Sequence, residues 1–154
     1  MPTFEAAIDI HASADALFDL TQDYARRLDW DPFLKEARLV DRAAVPAVGV
    51  RAWCVARTGL GMETEYVSFR RPHVVAVKMT RGPRILKSFA GSWRFKCLAP
   101  DLTRVVFRYH VAARPACLRR LLHPIMCLVF ERDVAQRLAM LKRFAETSGL
   151  GAAR

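Results

Sequence analysis

One helical period governs the end of the chain and limits what can precede it. From residue 115 to 147, apolar residues recur at three- and four-residue steps: Leu118, Leu121, Leu122, Ile125, Met126, Val129, Phe130, Val134, Leu138, Leu141 and Phe144, with Gly149 placed to end the run. The spacing predicts one long amphipathic helix, in which Pro124 either kinks the axis or marks the true first turn. A stripe of that length needs a broad apolar surface to lie on. The residues before it read almost entirely as strand.

Residues 3–11 alternate Phe4, Ala6, Ile8 and Ile10 with Glu5, Asp9 and His11, the pattern of a half-buried strand with a slip at Ala7. Ser13 then stands where a helix N-cap belongs, Asp15 lies in the first turn, and a short helix over 14–20 follows. Thr21 or Asp23 is placed to cap a second short helix through Leu28, which Asp31-Pro32 keeps from running on. Six strand-like runs come next, at 34–41, 50–57, 62–70, 73–80, 87–98 and 103–113, separated by Gly, Gly-Pro, Arg-Pro and Pro-Asp turn signals. Such short connections imply an antiparallel meander. The fold class is therefore α+β: a seven-stranded curved antiparallel sheet wrapped around a long C-terminal helix, with two short helices after the first strand.

A length of 154 residues with 53% hydrophobic content suits one domain, read as 1–148 with a tail at 149–154. The start, MPTFEAAIDIHAS, carries acids where an export signal carries bases, so a cytoplasmic location is expected. The uncharged run near the end falls short of the roughly 18 apolar residues a membrane span requires. Cys54, Cys97, Cys117 and Cys127 form no CxxC pair and read as reduced, buried small residues.

The net charge of +10 is uneven: 1–41 holds nine acids and four bases, whereas 66–130 holds thirteen bases and the single acid Asp101. This predicts an electrically polar molecule that favours anionic partners, although most of the bases are Arg, an excess that codon composition alone can produce.

The stretch SFAGSWRFKC (88–97) separates its aromatics from its charges. With a period of two, Phe89, Gly91, Trp93, Phe95 and Cys97 share one face, and Arg94 and Lys96 take the other. In the following strand Val105, Phe107, Tyr109 and Val111 oppose Arg104, Arg108 and His110. The ring-bearing sides are read as facing the helix. The other sides, with Lys78, form a basic plate without stacking aromatics, which disfavours RNA reading and leaves docking on anionic headgroups as the alternative.

The order of elements, with LDWDPFLKEARLVD, RRPHVVAVKMTRGP and GSWRFKC ahead of TRVVFRYHV, resembles the START-like, or helix-grip (SRPBCC), superfamily. The resemblance is strongest to its polyketide cyclase/dehydrase-like branch, with echoes of coenzyme-Q-binding START-like proteins in Gly82-Pro83 and Trp93-Arg94-Phe95. It implies a cavity between sheet and helix that holds a lipid, an isoprenoid quinone, a polyketide or another hydrophobic molecule. It implies no reaction.

The expected lining is Met62, Tyr66, Met79, Phe89 and Trp93 from the middle strands, with Phe107 and Tyr109 from the last. Met126 and Phe130 from the helix complete it, with Trp30, which together with Phe33 is placed to close the mouth although capping the core is its favoured role. Tyr66 and Tyr109 are expected to orient the guest through their phenols. The strand at 62–70 has two readings: Met62, Thr64 and Tyr66 inward, which is adopted, or Glu63 and Glu65 inward, which would bury an acid of use to a cyclase or dehydratase. In that enzymatic alternative Tyr66, Tyr109 or an inward Glu65 would move protons. His11, His73, His110 and His123 are scattered, and His110 should face solvent. No metal or nucleotide cofactor is implied, and the reading leans away from an enzyme. Finally, LLHPIMCLVF (121–130) is apolar nearly all round, so a dimer partner, a ligand at the mouth or a membrane interface is expected to cover part of it.

Overall fold

The computed structural model describes residues 3–114 and 116–150, by backbone alone at 116, 118, 119, 122 and 123. The predicted helix start at Pro115, the side chains of Leu118, Leu122 and His123, and the tail from 151 lie outside the described residues.

Strand β1 (Thr3–Ile10) leads into helices α1 (Ala14–Gln22) and α2 (Arg27–Trp30). Strands β2 (Leu34–Leu39), β3 (Arg51–Ala56), β4 (Gly61–Arg70), β5 (Val74–Arg81), β6 (Leu86–Ala99) and β7 (Leu102–Ala113) follow, and helix α3 (Ala116–Thr147) closes the order. All seven strands form one antiparallel sheet in the order β1-β7-β6-β5-β4-β3-β2. The two short helices carry the chain from one sheet edge to the other. This is the helix-grip arrangement.

Local chemistry explains the boundaries. The Ser13 hydroxyl accepts from the Ala16 amide at 3.2 Å and caps α1. α1 runs to Gln22 rather than stopping at residue 20, so Thr21 is inside it, its hydroxyl donating to the Phe18 carbonyl. Asp23 ends α1 instead of starting α2, and its carboxylate accepts from the Ala25 amide in the intervening turn. α2 is a single turn, and Asp31 is extended ahead of Pro32. α3 runs on through Pro124, which excludes the reading of that proline as a first turn.

The core is densest where α1 and the C-terminal half of α3 meet β1, β6 and β7. Val134, Leu138, Leu141 and Ala145, spaced three and four apart, form a fully buried stripe on α3. Phe18 of α1 packs edge-on against Phe69 and Phe95. Phe69 reaches this cluster because a register shift between Tyr66 and Ser68 inserts one extra residue, so Phe69, three residues after Tyr66, shares its inward face.

The outer sheet face differs from the expected plate. β1 lies beside β7 with Glu5 opposite Arg108 and Asp9 opposite Arg104, and both pairs form ion pairs. His110 is outside as expected, its Nδ1 2.8 Å from the Thr3 hydroxyl. Asp15 and Asp19 of α1 both hold Arg71. The acidic N-terminal segment thus folds against the basic middle, so the sequence asymmetry is partly cancelled rather than displayed. The cysteines also depart from expectation: Cys97 and Cys117 are exposed, Cys54 and Cys127 are half-buried, and none is fully buried.

Candidate functional site: a cavity under the first half of the long helix

Beneath the N-terminal half of α3 the sheet carries small inward side chains: Cys54 and Ala56 on β3, Thr64 on β4, Val77 on β5 and Gly91 on β6. These do not reach the helix, and a cavity of about 400 Å³ remains, within the usual range of small-molecule sites. Gly91 matters here because a Cβ would meet the Phe89 ring at 3.3 Å, so the missing side chain leaves that ring room to lie along the wall. Leu60, Ile85, Ile125 and Val129 line the cavity and are also solvent-exposed, which locates its mouth between the β3–β4 turn, the β5–β6 loop and α3.

Seven of the residues expected in the lining stand there: Met62, Tyr66, Phe89, Trp93, Phe107, Met126 and Phe130, with Phe33 beside them. Met62, Thr64 and Tyr66 are the inward set of β4. Glu63 faces away, bound to Arg51 and the Thr80 hydroxyl, and the alternative with inward carboxylates is excluded.

Three expected residues do not line the cavity. Trp30 is buried behind it, edge-on to Trp93, in the core-capping place favoured for it rather than at the mouth. Met79 folds over the β5–β6 turn, its Sδ occupying the space a Cβ on Gly82 would need. Tyr109 lies behind the wall, ringed by Phe4, Phe89, Phe107 and Phe130, and its hydroxyl donates to the Phe130 carbonyl at 3.2 Å. The phenol expected to hold a guest instead fastens the helix.

Tyr66 also has its proton committed. It donates to Gln22 Oε1 at 2.9 Å, so the 2.8 Å contact with Tyr24 is donated by Tyr24. Gln22 Nε2 in turn donates to the Thr21 hydroxyl at 3.1 Å. Burial pushes the Tyr24, Tyr66 and Tyr109 phenols above their ordinary value, so all three stay protonated at neutral pH.

The charged end of the cavity was not foreseen. Arg27 of α2 and Arg137 of α3 both line it, and both bind Asp31 Oδ2, at 3.0 and 2.7 Å. Asp31 Oδ1 accepts from the Phe33 amide, and Arg27 also donates to the Thr21 carbonyl at 2.7 Å. The guanidinium of Arg27 lies over Trp30 and Trp93, that of Arg137 over Phe33 and Phe107. Burial by itself would raise the Asp31 carboxyl, but Arg137 and Arg27 outweigh it and hold it below the usual carboxylate range. Asp133, one turn before Arg137, lines the same region, and burial pushes its carboxyl up against the opposing pull of Arg137. The only sequence signal for this cluster was the i,i+4 spacing of Arg27 and Asp31 in RLDWD; Arg137 lies over a hundred residues away. Among the described residues no group of three or more His, Cys, Asp or Glu side chains is placed to hold a metal ion.

With this geometry in place, comparison is informative. The family described as polyketide cyclase / dehydrase and lipid transport matches residues 1–146. The chain belongs to this family. Solved structures with the same fold include a protein of Thermus thermophilus (TM-score 0.80, 17% identity, covering 96% of this chain and 99% of that one). A START superfamily protein of Mycobacterium smegmatis is similar at TM-score 0.77 and 14% identity, over 94% of this chain and 97% of the other. The Zhui aromatase/cyclase of Streptomyces sp. R1128 is similar at TM-score 0.76 and 18% identity, over 94% and 93%. No curated protein matches the sequence.

Proposed function

We propose that this family member binds a hydrophobic or amphipathic small molecule in the cavity between sheet and α3, with a lipid, an isoprenoid quinone or an aromatic polyketide as the candidate class. The observation that carries the reading is the cavity itself: aromatic and aliphatic walls, a few polar groups gathered at one end, and an apolar mouth. Affinity would come mainly from apolar burial, at about 25 cal/mol per Å² before ordering costs. The domain is taken as 1–148. The acids near the start of the sequence support the cytoplasm as its location. Among the described residues no helix is long and apolar enough to cross a membrane.

Organic extraction of the purified protein followed by mass spectrometry tests the proposal. A co-purifying apolar molecule that Val77→Trp, a cavity-filling change, excludes would support it; a Nile red titration with no saturable binding would refute it.

A second reading, a cyclase or dehydratase working in the same cavity, is favoured by one observation. Asp133 is a lining carboxyl whose proton affinity is raised by burial, beside a cationic Arg137. The groups first assigned to proton transfer do not serve, because Tyr66 and Tyr109 are committed elsewhere and Glu65 shares the outward side of β4. Turnover of a poly-β-keto thioester analogue that Asp133→Asn abolishes would establish this reading over simple carriage.

The exposed face of 121–130 belongs to the same proposal. Leu121 and Leu128 are 74% and 70% exposed beside the mouth, and Arg84, Lys87, Arg114 and Arg120 are exposed near it. We read this as a surface that rests on an anionic bilayer while a guest is exchanged, in preference to a homodimer. Flotation with anionic but not neutral vesicles supports it; a stable dimer with these residues buried refutes it.

A further inference from the structure

We propose that the guest is a monoanion, a carboxylate on an apolar body, whose acidic group seats against Arg27 and Arg137. The inference rests on the cavity-binding reading and adds the chemistry of the head group.

The charge count carries it. Buried Arg27 and Asp31 and a nearly buried Arg137 gather at one end of a mostly apolar cavity, and among the described residues the two guanidiniums share one ion-paired carboxylate, which leaves one positive charge without an ion-pair partner. Buried charges are costly unless paired, and the excess is one unit, not two. The hydrogen-bond count agrees. Both Asp31 oxygens are engaged, Oδ2 by Arg27 and Arg137 and Oδ1 by the Phe33 amide. The arginines are not: Arg27 donates through Nε and Nη1, and Arg137 only through one Nη2 bond, while its buried Nε has no partner among the described residues. The aromatic rings cover the flat faces of both guanidiniums, so their edges are what remains to offer an acceptor. Asp133 is the protein's own candidate for the missing counter-charge, yet it forms no ion pair with Arg137. Its presence near the same groups also weighs against a dianionic head such as a phosphate monoester.

Nile red displacement with two matched pairs, decanoate with decanol and 1-naphthoate with 1-naphthamide, tests the inference. Each acid should bind about tenfold or more tightly than its neutral partner, the scale of a charge-assisted contact. Arg137→Gln should remove that preference, so that each acid binds no more tightly than its neutral partner. If that variant does not fold, Asp133→Asn serves, and it should tighten the acids alone. Equal affinities within both pairs, or four compounds that all fail to displace a bound dye, would overturn the head-group assignment and leave the cavity reading standing. A dye that never binds would remove both.

Discussion

The first half of α3 is the more apolar in sequence, yet the fully buried stripe lies in the second half. In the C-terminal half Leu138 and Leu141 are 2% and 0% exposed, part of the main hydrophobic core. In the N-terminal half Leu121 and Leu128 stand in solvent, and Met126 and Phe130 look onto a cavity. The sheet beneath explains the difference. Under the C-terminal half it presents Ile10, Phe95 and Val105, backed by Phe18; under the N-terminal half it presents Cys54, Ala56, Thr64 and Gly91. Large side chains close the gap at one end, and small ones leave it open at the other. Close packing and open space therefore reside in different halves of one helix, and Arg137, tied to Asp31, sits near the border.

Substitutions can break that division, beginning at the border. Asp31→Ala leaves two buried guanidiniums uncompensated and should cost about 3–5 kcal/mol in denaturant unfolding. Because the folded carboxyl titrates below its unfolded value, its contribution is present above the ordinary carboxylate pKa and is lost as pH falls through the folded one. Acid unfolding of Asp31→Asn should accordingly show a shallower loss of stability below pH about 4. Leu138→Ala in the packed half should cost about 2–5 kcal/mol. Val77→Trp, in the open half, should instead reduce Nile red affinity about tenfold or more with a smaller change in unfolding midpoint, since it fills space that is empty. The smallest effect is expected for Leu128→Ser, within about 0.5 kcal/mol of the parent in denaturation, because that side chain contributes no burial to lose. A Leu128→Ser cost matching that of Leu138→Ala would refute the division.

The fold was legible because each element carries a local periodic signal. Alternation in β1 and the Ser13 cap with Asp15 behind it marked the first turns of chain, and α3 declared itself by spacing alone. Much of the apolar lining was legible for the same reason: once Trp93 faces inward, Phe89 and Gly91 follow by alternation. The register shift beside Val67 defeated that logic for Phe69, since a bulge changes which face a residue takes without leaving a clear sequence mark. Tyr109 was placed on the right side of its strand but at the wrong depth. Alternation assigns a face and says nothing about whether another ring stands in front.

The order of elements, the antiparallel sheet with its covering helix, and the segregation of rings from charges were all readable from the chain, because they depend on residues that are near neighbours in it. Packing settled the rest: where space remained, which phenols were already bonded, and that Asp31 gathers Arg27 from four residues before it and Arg137 from over a hundred residues after it. Those outcomes depend on distances between elements, and such distances exist only once the elements have come together.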